Sequence, residues 1–241
     1  MVARLRLRYA KRGRLRFLSH RDVARAFERA VRRADVPIAY SAGFTPHPKI
    51  SWVGAAPTGA ASEAEYVELG LAVPADPQVV RAGLDASLPP GLDVLDCVPA
   101  GPGSLADRID ASAWRLSLSG VTPAAAAAAL AAFLACDVVE VERRTKDGRR
   151  SVDARGAVAS ARPDARDADC AILDVVVRHT TPAVRPEEVL AALRAVAALE
   201  PPAPVEARRL AQGLLDAQGS LADPLAPDRR AAGRPAGTPV A

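Results

Sequence analysis

Arg21, Arg25, Arg29 and Arg32 recur at intervals of four, four and three residues, which at 100° per residue places them on one side of a helix, with Arg33 toward its edge. Only Glu28 interrupts this stripe, so few partners within the helix can neutralise it. A guanidinium row of this kind suits a phosphate backbone or another polyanion; the plainer alternative is a solvated helix face. Downstream, Tyr40-Ser41-Ala42-Gly43-Phe44-Thr45-Pro46-His47-Pro48-Lys49 forms a loop in which Gly43 permits positive φ and each proline fixes its own φ. The loop carries two aromatics, an imidazole and an ammonium. Stacking combined with charge is what single-stranded nucleic acid requires, although Tyr40 and Phe44 could instead fill the core. His20, His47 and Tyr40 are the candidate catalytic groups, for a metal-independent cleavage in which one imidazole is base, another acid, and arginine stabilises the phosphorane. A histidine at a helix start more often caps or packs. The three histidines, His20, His47 and His179, show no metal-ligand spacing, so neither a metal nor a cofactor is expected.

The elements that must position these groups follow from periodicity. Val2 to Tyr9 alternates, with Leu5, Leu7 and Tyr9 on one face and Arg4, Arg6 and Arg8 on the other, the pattern of a half-buried strand. Ser19 is placed to cap the helix, with Asp22 three residues on. Val23, Ala26, Phe27, Ala30, Val31 and Ala34 make its buried face. Ile50–Val53 and Ala64–Leu71 read as strands, Pro77–Leu88 as a helix and Leu92–Val98 as a last strand. The order βαββαβ is that of the ferredoxin-like unit. It predicts Arg4, Arg6 and Arg8 on an open sheet face beside Tyr66 and Glu68, the surface on which RNA-recognition modules stack bases.

After Ala100-Gly101-Pro102-Gly103-Ser104, a linker by composition, the pattern begins again. Strand Trp114–Leu118, helix Pro123–Ala135, strands Val138–Thr145, Arg150–Arg155 and Cys170–His179, helix Pro186–Leu199 and strand Val205–Leu210 predict a second βαββαβ unit with an inserted hairpin. Around the hairpin's turn stand Arg143, Arg144, Lys146, Arg149 and Arg150. Such a basic arm can clamp a nucleic-acid backbone, or its charge can simply discourage edge pairing between sheets. The predicted fold is therefore α+β, two tandem ferredoxin-like domains at 1–100 and 113–212, a linker at 101–112 and a disordered tail at 213–241.

The runs Arg16-Phe17-Leu18-Ser19-His20 with Asp22 and Arg25, Arg29 to Ala34, Ala39 to Phe44, Pro46-His47-Pro48-Lys49 and Ser62-Glu63-Ala64-Glu65-Tyr66 together resemble the signature of an uncharacterised bacterial family, the radical-SAM-associated domain of unknown function. The motif positions are Ser19, His20, Asp22, Arg25, Ser41, Gly43, Phe44, Pro46, His47, Pro48 and Glu65. The resemblance covers the first hundred residues strongly and the second hundred loosely. It implies work alongside a radical SAM enzyme, because family members occur alone or as the C-terminal part of such proteins, and it implies no mechanism.

The 241 residues carry a formal charge of +4, which conceals an asymmetry: residues 1–50 hold 13 Lys/Arg against 3 Asp/Glu, and the remainder is acidic. A local basic patch points to a polyanion rather than to general solubility. Cys97, Cys136 and Cys170 are far apart and include no C-x-x-C pair, which argues against a disulfide framework, a zinc site or an iron–sulfur cluster. The chain is thus not expected to be the radical SAM enzyme itself. With no apolar signal region and no long apolar run, a soluble cytoplasmic protein without membrane contact is expected. These readings converge on a non-catalytic RNA-binding adaptor, for tRNA or rRNA, acting with a radical SAM or RNA-processing enzyme. The alternatives are a protein interaction module without nucleic acid and a metal-independent endoribonuclease.

Overall fold

The computed structural model describes residues 1–145, 148–164 and 170–233. The fold is α+β, its sheets antiparallel, and the chain divides into two compact units, Met1–Arg108 with the segment from Asp223 onward, and Ile109–Ala222.

In the first unit the order is β1 (Ala3–Lys11), α1 (His20–Arg33), β2 (Ile50–Val53), β3 (Ala61–Leu71), α2 (Pro77–Ser87) and β4 (Leu92–Pro99). β1 pairs antiparallel with both β3 and β4, and β2 pairs with β3, giving the spatial order β4-β1-β3-β2. The register Leu5↔Leu69, Leu7↔Val67 puts the apolar set of both strands on one face, and Arg6↔Glu68, Arg8↔Tyr66 puts the polar set on the other, as a period of two requires. The apolar face packs with Phe27, Ala30 and Val31 of α1 and with Val80 and Leu84 of α2. Tyr9, Phe27 and Trp52 meet edge to face at the centre, the arrangement that ring quadrupoles favour. α2 begins at Pro77 with Asp76 accepting from the Gln78 N–H at 2.7 Å.

The second unit comprises β5 (Ala111–Ser119), α3 (Pro123–Leu134), β6 (Glu140–Thr145), β7 (Gly148–Asp153), a single turn α4 (Ala154–Ala157), β8 (Val158–Asp164), β9 (Cys170–Arg178), α5 (Pro186–Ala197) and β10 (Glu206–Gly213). Its main sheet runs β10-β5-β9-β8, all antiparallel, while β6 and β7 form a ribbon of their own. The predicted strand Arg150–Arg155 stops earlier, because the Asp153 carboxylate turns back to accept the Arg155 and Gly156 N–H groups and caps α4. β8 was not foreseen. Its sequence, Val158 to Asp164, has Pro163 and little apolar alternation. It tolerates both because it pairs on one side only, at the end of its sheet.

The tail expected at 213–241 is instead structured as far as Gly233. Asp216 accepts from the Gln218 and Ser220 N–H groups, and helix α6 (Ala226–Ala232) follows. The last eight residues lie outside the described ones. Asp228 of α6 is 1% exposed and accepts from Arg6 at 3.0 and 3.1 Å, from Arg108 at 2.8 Å and from the Gly101 N–H at 2.9 Å. A methyl group at position 101 would stand 2.7 Å from that carboxylate, so Gly101→Ala is expected to loosen this clasp and lower the urea midpoint of unfolding. The expected linker is likewise partly structural, with Leu105 buried and Arg108 on Asp228. No helix among the described residues is long and apolar enough to cross a membrane.

Candidate nucleic-acid interface

α1 is capped as its sequence suggests. Ser19 Oγ accepts the Asp22 N–H at 3.2 Å and donates to Asp22 Oδ2 at 2.6 Å. The hydrogen bond from Ser19 holds the Asp22 carboxyl below its ordinary pKa, with Arg25 and Arg21 adding to the effect. The helix buries Val23, Ala26, Phe27, Ala30 and Val31. It turns Arg21, Arg25, Arg29 and Arg32 outward, all exposed. None of the four has a carboxylate within ion-pair distance among the described residues, whereas arginines elsewhere in the unit, such as Arg4, Arg6, Arg12, Arg108 and Arg229, are paired.

Replacing Ser19 by alanine removes the acceptor for an N-terminal N–H. It is expected to cost about 1 kcal/mol, read as a lower midpoint in urea, while leaving the outward face chemically unchanged.

Seven residues after α1 ends, the motif loop is closed by backbone bonds at its neck. The Ala39 N–H donates to Gly70 O, Lys49 N–H to Ala39 O and Gly70 N–H to Lys49 O, all within 2.7–2.8 Å. Within the loop, the Ser41 N–H donates to His47 O at 2.8 Å and the His47 N–H to Ser41 Oγ at 3.0 Å. Gly43 has φ +127°, a value that side chains disfavour. The alternative of aromatic core plugs does not hold: Phe44 is fully exposed and Tyr40 is 51% exposed. Pro46, His47 and Lys49 are exposed as well, and Pro48 is half-buried, bridged to Tyr40. Glu65 belongs to the frame. It is buried and accepts the Ala56 N–H at 2.9 Å, while Lys11 donates to Ala56 O and Pro57 O, so both hold the turn after β2.

The three candidate catalytic groups have separate surroundings. The His20 ring stands edge-on to Trp52 with centroids 5.4 Å apart, His47 is tied to Ser41, and Tyr40 to Pro48. No hydrogen bond joins them. His179 lies in the second unit, where Nε2 is 2.8 Å from Ser112 Oγ; burial first, then Arg209, lowers its pKa, which favours neutral imidazole.

The β1 arginines require correction. Arg6 is 0% exposed, bonded to Glu68 and Asp228 and donating to Gly103 O, so it cannot reach a ligand. Arg4 is paired with Glu68 at 3.0 Å. Arg8 is half-buried opposite Tyr66, whose hydroxyl pKa burial pushes up. The polar face of this strand was read correctly, but α6 and the 101–103 loop occupy it. In the hairpin, Arg143 is an anchor, donating to Ala183 O at 2.9 Å and lying 3.5 Å from Glu188 Oε1 at the start of α5. Arg149 forms an exposed pair with Glu142 at 3.1 Å, and Arg150 is exposed. Arg144 pairs in backbone register with Arg149, and Lys146 lies outside the described residues.

Two residues of the family run that were not assigned to the interface from the sequence, Arg16 and Phe17, join the site. Phe17, which closes the 3-10 turn Gly13–Phe17 just ahead of the cap, is 59% exposed, with the Arg16 guanidinium 4.9 Å from its ring centroid. Its place two residues ahead of the Ser19 cap was the available signal.

The first unit, a mixed α+β unit, thus presents the four exposed arginines of α1 together with the exposed rings of Phe17, Tyr40 and Phe44. The chain belongs to a family described as an uncharacterized protein conserved in bacteria (DUF2344), whose model matches residues 4–186. No curated protein matches. A crystal structure of an unknown protein from Galdieria sulphuraria is similar at 12% identity and a TM-score of 0.25, over 86% of this chain and 98% of that one.

Proposed function

We propose that this protein is a non-catalytic RNA-binding adaptor, recognising tRNA or rRNA in the cytoplasm and presenting it to a radical SAM or RNA-processing enzyme. The observation that carries the reading is the outward face of α1, four exposed arginines without a carboxylate partner among the described residues, next to a hydrogen-bonded loop that holds Phe44 and Tyr40 in solvent. Phosphate contacts supply affinity and bases stack on the aromatics. In the second unit, the exposed Arg150 of the hairpin offers a phosphate contact of its own. The radical SAM partnership rests on the resemblance of the segment from Arg16 to Tyr66. The strand orders β4-β1-β3-β2 and β10-β5-β9-β8 support reading both units as ferredoxin-like.

The test is a titration of the full chain with labelled total tRNA and rRNA fragments over a range of salt. Affinity should fall linearly on logarithmic axes, and Arg25→Ala should reduce the slope by about one, the signature of one lost phosphate contact. Binding without salt dependence, or a slope unaffected by Arg25→Ala, would contradict the reading and favour a protein-docking surface.

A further inference from the structure

We infer that the interface selects unpaired RNA, with one base stacked on Phe44, another on Phe17, and the intervening backbone following the arginines of α1. This deepens the RNA reading and rests on it.

The allocation of aromatic side chains is the first support. The chain has four Phe, two Trp and three Tyr. Tyr9, Phe27, Tyr66, Trp114 and Phe133 are buried, and Trp52 is half-buried in the core. The exposed ones are Phe17, Tyr40 and Phe44, and all three flank α1. Leaving a phenylalanine in water forgoes the stabilisation that burying its ring would supply. Concentration of the exposed rings around the cationic helix is what a stacking function predicts and what random surface exposure does not.

Their placement is the second support. Phe17 follows the end of β1, on a turn tied by the Gly59 N–H to Arg16 O at 2.8 Å. The motif loop is tied to Gly70, which pairs with Arg4 at the beginning of β1. Because α1 runs back antiparallel to β1, the two aromatics bracket it, one beyond each end. Its 14 residues span about 21 Å, a track for a short single strand near the lower end of the roughly 4–16 nucleotides typical of such grooves. The Arg16 guanidinium covers one face of Phe17 and leaves the other for a base, and the backbone bonds that close the motif loop limit the ordering that the segment carrying Phe44 must undergo on stacking. A closed duplex cannot use them. Its bases are already stacked, and the deep, narrow major groove of A-form RNA excludes a helix.

The experiment is fluorescence anisotropy on the full chain with a 10-nucleotide RNA lacking self-complementarity and a 10-base-pair blunt RNA duplex. The single strand should bind at least tenfold more tightly. Phe17→Ala and Phe44→Ala should each weaken it roughly tenfold, in line with one lost stacked base. Phe→Leu at either site should not restore binding, Phe→Tyr should, and urea midpoints should stay at the wild-type value because the rings are exposed. Equal or tighter duplex binding, or single-strand affinity unchanged in both Phe→Ala variants while arginine substitutions still abolish it, overturns the stacking inference and leaves the RNA reading standing. Failure of the wild-type chain to bind either RNA overturns both.

Discussion

Reversing Arg21, Arg25 and Arg29 to glutamate should weaken RNA binding by about two to three orders of magnitude while the fold survives intact. Each arginine that meets a phosphate makes a charge-assisted contact worth about 1.5–3 kcal/mol. Solvent exposure discounts that figure, but reversal adds repulsion to the loss. A weakening of a hundredfold to a thousandfold is therefore expected, roughly, at moderate salt. The thermal midpoint should not fall, since these side chains lie opposite Val23, Ala26, Phe27, Ala30 and Val31 and take no part in the core. Retained affinity in the triple variant, measured by anisotropy at two salt concentrations, would remove α1 from the interface.

The largest stability effect is expected at Asp228→Ala. The carboxylate is buried against Arg6, which is itself wholly inaccessible, and also receives Arg108 and the Gly101 N–H. Removing it leaves a buried guanidinium with Glu68 as its remaining acid, and breaking such a pair typically costs about 3–5 kcal/mol. The same site sets a pH dependence. Burial alone would raise the Asp228 pKa, but the hydrogen bonds from Arg6, the Gly101 N–H and Arg108 outweigh it and hold the carboxyl below its ordinary value. A depressed carboxyl contributes stability that is complete above its unfolded pKa, near 4. That contribution disappears as pH falls through the lower folded value. Urea unfolding from pH 6 downward should therefore show wild type approaching Asp228→Asn in acid, and a constant difference between them would contradict the assignment.

Local patterns were legible in the sequence wherever one element sufficed to determine them. The alternation in β1 and the Ser19 cap with the apolar stripe of α1 each depend on residues within a turn or two, and each appears as read. β8 was hidden because a strand paired on one side needs neither a continuous apolar face nor freedom from proline, and Pro163 removed the usual signal. The Arg6–Asp228 contact joins residues 222 positions apart. Composition around Asp228, rich in Ala, Pro and Arg, gave no hint that one carboxylate would be buried. Arg6 was assigned to the correct side of its strand and the wrong environment, because alternation reports which way a side chain points but not what covers it. Phe17 stood in the quoted family run yet was not assigned to the interface, because aromatic residues usually fill cores and its exposure is set by the turn that carries it.

The most direct measurement is crosslinking in the native bacterium, followed by sequencing of the RNA attached to the protein, with the Arg21/Arg25/Arg29 triple glutamate variant in parallel. The account predicts a defined tRNA or rRNA population, crosslinked in the wild type and lost in the variant. No RNA above background in the wild type, or the same population in both, would contradict it.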